Sequence, residues 1–201
     1  MTEHPATSPS PRILVLGIGN ILWADEGFGV RAVEAFHRAY QADEHVTVMD
    51  GGTQGLYLVN LLQEHDHLLV FDAIDYGLVP GTLKRVDGDE VPKFTGAKKM
   101  SLHQTGFQEV LSAADLLGAA PTRLALIGCQ PRDLEDWGGA LTPPVATRID
   151  DALTLARTIL AEWGITLTPR DVALAPTERL LGHDLDHDSY ERRAAPAAAA
   201  T

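Results

Sequence analysis

Three side chains set far apart in the sequence have the chemistry to hold one divalent transition metal: Glu26, Asp72 and His103. One imidazole and two carboxylates supply three donors and leave coordination positions open, as a working metal site requires. No self-contained motif such as His-Glu-x-x-His joins them, so only the fold can bring them together. Each also has a plain structural reading. Asp25 or Glu26 can cap a helix, and Asp72 can hydrogen-bond a neighbouring loop. His103 lies within Ser101-Leu102-His103-Gln104, a capping box, where an exposed helix-start residue is ordinary. The positive end of that helix disfavours a protonated imidazole and leaves His103 able to ligate.

The elements around these residues alternate in type. An apolar β-branched run from Ile13 to Ile18 breaks on Gly17, Gly19 and Asn20, and a helical pattern follows with Val30, Val33, Phe36 and Tyr40 on one face. This predicts a strand at 12–17 and a helix at 27–42, with Glu26 just beyond the strand's carboxyl end. His45 to Asp50 alternates as a second strand and runs into Gly51-Gly52-Thr53, whose glycines open backbone conformations closed to other residues. A helix at 54–63 follows. The apolar run His67–Asp72 reads as a central strand buried on both faces. Thr82–Val86 alternates as a more exposed strand, and Phe107, Val110, Leu111 and Ala114 give the next helix its face, ended by Gly118. Arg123–Gly128 is a further buried strand, and Val145 to Trp163 marks a long closing helix.

Strands alternating with helices predict a single three-layer α/β domain, a mainly parallel twisted sheet sandwiched by helices. In such a sheet the strand ends point one way, so Glu26 and Asp72 converge and the loop 87–100 can carry His103 over the same edge. The domain should occupy 12–167. Residues 1–11, with three prolines, read as a disordered lead-in, and 168–201, where periodicity fails, as a poorly ordered tail.

The 201-residue chain has a formal net charge of −12, which argues against nucleic acid and anionic membrane surfaces as partners. One cysteine, Cys129, rules out a disulfide framework. No apolar run reaches the length of a membrane span, and the start has no signal-peptide pattern, so a cytoplasmic protein is expected.

Four stretches together look like the maturation endopeptidases of nickel–iron hydrogenases: Gly17 to Arg31, Asp50-Gly51-Gly52-Thr53, Phe71-Asp72-Ala73-Ile74 and Ser101 to Gln104. The resemblance runs from about Arg12 to Gly164, in the family's order and spacing. Trp23-Ala24-Asp25-Glu26-Gly27-Phe28-Gly29 and Gly128-Cys129-Gln130-Pro131 resemble the branch serving membrane-bound uptake hydrogenases. The resemblance implies a hydrolase that removes a C-terminal extension from a hydrogenase large-subunit precursor after nickel insertion. Glu26, Asp72 and His103 then fall on nickel-binding, catalytic positions, and Asp50, Gly51, Gly52 and Thr53 on a substrate-recognition loop. The implied nickel arrives with the precursor.

Other readings remain open at this stage. A non-catalytic nickel-sensing chaperone of the precursor would use the same ligands. A nucleotide-binding oxidoreductase would use Gly17-Ile18-Gly19 with Asp50 as the ribose acid. Against it, Leu22 stands where the fingerprint needs a third glycine, which denies close helix–strand approach, and the acids behind it repel a pyrophosphate. Cys129 reads as a small core residue. His183 to Asp188 reads as a solvated acidic run or a weak chelator, and Lys93, Lys98 and Lys99 as a solvated basic loop or a contact for an acidic partner segment.

Overall fold

The computed structural model describes residues 10–91 and 102–194, apart from the side chains at 102–106 and 194. Its centre is β1 (Ile13–Ile18), every residue of which is buried. Alternation along this strand sends Ile13 and Val15 into one apolar layer and Leu14 and Leu16 into another. The first layer is closed by α1 (Phe28–Ala39) and by a long late helix, through Phe28, Val33, Phe36, Ala152, Ala156 and Ile159. The second is closed by α2 (Leu58–Gln63) and α3 (Leu102–Leu116), through Leu58, Leu62, Phe107, Val110 and Leu111. Helix, sheet and helix make the three expected layers.

After α1 the chain forms β2 (Tyr40–Gln41) and then β3 (Val46–Gly52), with β4 (His67–Ala73), β5 (Leu83–Asp87) and β6 (Arg123–Cys129) following. The sheet order is β3-β1-β4-β6-β5. The first four strands of that order run parallel, and β5 lies antiparallel on β6. The chain thus steps from β1 to one side and returns to the other, so the order reverses between β1 and β4. In open α/β sheets the crevice outside the carboxyl ends at such a reversal is where ligands bind.

Several boundaries shift from the sequence reading. The first helix ends at Ala39 because Tyr40 and Gln41 pair antiparallel with β7 (Thr168–Pro169). The closing helix is two pieces, α4 (Pro143–Ala146) and α5 (Ile149–Glu162). Leu22 was expected to keep helix and strand apart, yet they approach closely by other residues. A Cβ on Gly29 would lie 2.1 Å from the Ile18 carbonyl oxygen and 2.3 Å from that of Phe71. A Cβ on Gly17 would lie 2.4 Å from the Gly29 oxygen. Two glycines facing each other let α1 rest directly on β1 and β4.

Residues 168–194, expected as a loose tail, lie against α1, ending in α6 (His187–Ala194). Within the run read as solvated, Asp186 is buried, 2.7 Å from Arg179 Nη1. Burial pushes its carboxyl up, but hydrogen bonds from Ser189 and the Arg179 charge override this and hold it at about 2. No apolar periodicity announces this docking, because charged pairs carry it. Among the described residues no helix is long and apolar enough to cross a membrane.

Candidate active site

The β1–α1 connection is a tight 3-10 turn, Ala24–Gly27, and Ala24 has φ +37°, the only non-glycine described residue in the left-handed region. The two acids of the turn face different tasks. Asp25 is fully buried, and its carboxylate accepts four hydrogen bonds. Thr142 N–H donates to Oδ1 at 2.7 Å; Arg132 N–H, Asp133 N–H and Thr142 Oγ1 donate to Oδ2 at 2.8, 3.0 and 2.8 Å. Asp25 therefore ties the 130–142 loop to the turn rather than capping α1. Asp25→Ala strands several buried donors at once and should cost about 3–5 kcal/mol. Urea denaturation reads this as a lower midpoint, and a midpoint at the wild-type value would mean that the loop is held by other contacts.

Glu26 is half-buried at the same turn, and its backbone is clamped by β1's exit. Asn20 N–H donates to the Glu26 carbonyl at 3.2 Å. Gly19, at φ +135°, has that carbonyl 1.9 Å from where a Cβ would sit, so only glycine fits there. Asp72, next to last in β4, is 4% exposed, and its Oδ2 has no hydrogen-bond partner among the described residues. Burial pushes the Asp72 carboxyl well up; an Ala73 N–H lowers it and the negative charge of Glu26 raises it again. The two carboxylates thus lie within electrostatic reach of each other at the β1/β4 reversal. A buried acid left short of donors beside a second acid is the electrostatic signature of a cation site.

Tyr76 stands beside this pair. Burial first, then the Asp72 charge, pushes its hydroxyl up, so the phenol stays protonated. A Cβ on Gly128 would fall 2.1 Å from Tyr76 Oη, so the bare Gly128 makes room for it. Buried Gln130 holds the same loop: its Oε1 accepts Tyr76 N–H at 2.8 Å and Leu78 N–H at 3.0 Å. Neither Tyr76 nor the pinning role of Gln130 is legible in the sequence, although Gln130 lies within Gly128-Cys129-Gln130-Pro131.

His103 sits in the first turn of α3, and its side chain, like Ser101, Lys93, Lys98 and Lys99, lies outside the described residues. The backbone still places it. Beyond α3 the chain enters β6 at Arg123, the amino-terminal edge of the sheet, so α3 runs opposite to the parallel strands. Its 15 residues span about 22 Å, close to the length of a seven-residue strand, which puts the helix start at the carboxyl edge with Glu26 and Asp72. Among the described residues no three His, Cys, Asp or Glu side chains form a metal-binding group, so that set stays at the two carboxylates.

Asp50 ends half-buried, and its Oδ1 accepts Gly52 N–H at 2.9 Å in a tight turn. Burial raises its carboxyl, the Gly52 bond lowers it, and Glu34 raises it. Gly51 packs where a Cβ would meet Leu16 Cδ1 at 2.8 Å, Gly52 has φ +42°, and Thr53 is exposed. Gly19 N–H donates to the Gly52 carbonyl at 3.1 Å, so this loop borders the turn that carries Glu26. Cys129 is buried and its thiol is pushed up to about 12 by burial and the Asp25 charge, which makes it inert as a nucleophile at neutral pH. A wide cleft lined by Arg85, Asp115, Arg123 and Trp163 opens at the opposite edge, away from this chemistry.

Known proteins are similar to this chain over most of its length. The family model described as hydrogenase maturation protease matches residues 30–159. The hydrogenase expression/formation protein HupD of Bradyrhizobium diazoefficiens is 69% identical over 191 residues, covering 95% of this chain and all of that protein, 100%. The hydrogenase 2 maturation protease of Escherichia coli is 43% identical over 162 residues, which cover 80% of this chain and 97% of that protein. About a fifth of the present chain therefore has no counterpart in it. Among solved structures, the hydrogenase maturating endopeptidase HybD from E. coli superposes with a TM-score of 0.75 at 42% identity, over 79% of this chain and 98% of that one.

Proposed function

The chain belongs to the family of hydrogenase maturation proteases, and from that footing we propose that it cuts the C-terminal extension from a nickel–iron hydrogenase large-subunit precursor once nickel is in place. The observation that carries this reading is the buried Asp72, whose Oδ2 has no partner among the described residues, beside Glu26 at the reversal of strand order. Two acids forced together in a partly dry crevice repel each other and await a cation. Nickel held by the precursor supplies that charge as part of the substrate. Glu26 and Asp72 contact it from the ends of β1 and β4, and His103 from the start of α3.

Contact with the metal brings the scissile peptide to the same crevice. Water, polarised at the metal and relieved of a proton by a carboxylate, attacks the peptide carbonyl. The C–N bond breaks, and the proton passes to the departing amine. Asp50, Gly51, Gly52 and Thr53 border the crevice and serve as the recognition loop. A precursor without nickel leaves the carboxylates facing each other, which makes the reaction self-gating. The processing takes place in the cytoplasm.

Intact mass of nickel-loaded and metal-free precursor after incubation with the protein tests this directly. Loss of a short C-terminal peptide only from the loaded sample is expected. Glu26→Gln and His103→Ala should each lower the rate at least about a hundredfold while keeping a cooperative thermal transition. A stable complex with uncut loaded precursor would move the assignment to a nickel-sensing chaperone, and equal cutting of both samples would remove the nickel gate.

A further inference from the structure

We infer that Glu191, in the C-terminal segment, is a positioning residue for the reaction: together with Asp25 it brackets the turn that presents Glu26. This rests on the functional reading above for Glu26. Its structural basis is independent of that reading. Glu191 Oε1 accepts Arg31 Nε at 3.0 Å, and Oε2 accepts Leu141 N–H at 3.1 Å. Leu141 immediately precedes Thr142, the residue that Asp25 holds by both its N–H and its hydroxyl. Two carboxylates, one on each side of Glu26, therefore fasten the same point of the 130–142 loop to the stretch 25–31.

The anchorage of Glu191 is built in depth. Arg31 is 1% exposed, and its Nη1 donates to the Leu185 carbonyl at 2.8 Å and to Glu34 Oε2 at 3.0 Å. His187 N–H donates to Glu34 Oε1 at 3.0 Å, and the Tyr190 ring lies 5.3 Å from the Arg31 guanidinium carbon. Besides its pair with Glu34 on α1, this buried arginine spends its Nε and Nη1 on groups 160 and 154 residues away, so it ties α1 to the C-terminal segment. It makes the end of the chain part of the wall behind the active turn. A displacement of that turn by about 1 Å is enough to lower a rate by up to about a hundredfold.

The structure supplies a reporter that needs no substrate. Trp23, two residues before Asp25, meets Trp137 of the 130–142 loop edge to face, with centroids 4.8 Å apart. Gly138 N–H donates to the Leu22 carbonyl at 2.8 Å beside them. The near-ultraviolet circular dichroism of this pair follows the docking of loop on turn. Full-length wild type, Glu191→Ala and Glu191→Gln are compared for this signal, for melting, and for kcat and KM with nickel-loaded precursor. Glu191→Ala should weaken the tryptophan signal and lower kcat about tenfold or more at a KM within about twofold of wild type. Glu191→Gln keeps an acceptor for Leu141 N–H and should fall between the two. It decides the matter if the alanine variant fails to fold.

A wild-type signal and kcat in both variants would overturn the inference, as would a rise in KM at constant kcat, which would make the segment a precursor contact. A weakened signal with unchanged kcat would equally overturn it, because the loop would then move without moving the chemistry. Failure of wild type to cut loaded precursor would instead strike the functional reading, with the tryptophan signal still reporting whether Glu191 holds the turn.

Discussion

Asp72→Asn is expected to abolish precursor processing and, at the same time, to raise the melting temperature of the metal-free protein. The carboxyl is buried, its Oδ2 lacks a partner among the described residues, and Glu26 adds a like charge nearby. Its folded pKa lies well above the ordinary carboxylate value, so the contribution of Asp72 to stability is fully present below about pH 4 and is lost as pH rises through the raised folded value. At neutral pH the ionised form therefore works against folding. Asparagine retains an oxygen for the Ala73 N–H and gains an amide that can donate toward Glu26, with no charge to desolvate. A gain of about 1–3 kcal/mol, or about 3–9 °C in melting temperature for a chain of this size, follows. Calorimetry across pH gives the sharper check: the gain should shrink to nothing below about pH 4, where aspartate is itself neutral. An Asp72→Asn protein that melts below wild type at pH 7 would contradict the electrostatic account of the site. On the proposed reading, in which the cation arrives with the precursor, activity and stability oppose each other here.

Gly29→Ala should be the most damaging single-methyl change in the described part of α1. Its Cβ would fall 2.1 Å from the Ile18 carbonyl oxygen and 2.3 Å from the Phe71 oxygen, both backbone atoms of adjacent central strands. Neither strand can retreat without opening the core, so α1 must lift. A loss of about 3 kcal/mol or more is expected, against about 1 kcal/mol for Gly55→Ala, which meets only backbone strain. At Gly55 φ is +55° and nothing lies within 4 Å of the added carbon. Urea midpoints for the two variants test the comparison, and equal losses would show that α1 does not press on the strands as described. The same displacement reaches the chemistry. Phe71 precedes Asp72 and Gly29 follows Glu26 by three residues, so lifting the helix start separates the two carboxylates. Processing by the folded fraction of Gly29→Ala should fall by more than its stability loss explains.

Much of this arrangement is legible in the sequence because it is local and periodic. The Ile13–Ile18 run, the alternation at 45–50 and the apolar run at 67–72 give strands at nearly the observed places, and the 3.6-residue spacing of Val110, Leu111 and Ala114 gives α3 its buried face. The parallel sheet follows from strand–helix alternation, and with it the convergence of Glu26 and Asp72 at one edge. The recognisable motifs around these residues carried the family assignment further than spacing alone.

What only tertiary structure decides is the division of labour among residues that look alike in sequence. Asp25 and Glu26 are neighbours of the same chemistry, yet a 3-10 turn aims one into the 130–142 loop and leaves the other at the crevice. Gly29 matters because two strands distant in sequence place their carbonyls against it, a contact that no helical pattern encodes. The segment after Leu167 has no apolar period, so it reads as a tail. Its order comes from Arg31 pairing with Glu191 and Glu34 accepting the His187 N–H across the fold, and from Asp186 pairing with Arg179 within the segment, contacts that exist only once α1 is in place to receive them. Periodicity records which face of an element meets a core, because burial repeats with the element's own geometry. A buried ion pair or a glycine contact is a single meeting of distant atoms, and it leaves no period to read.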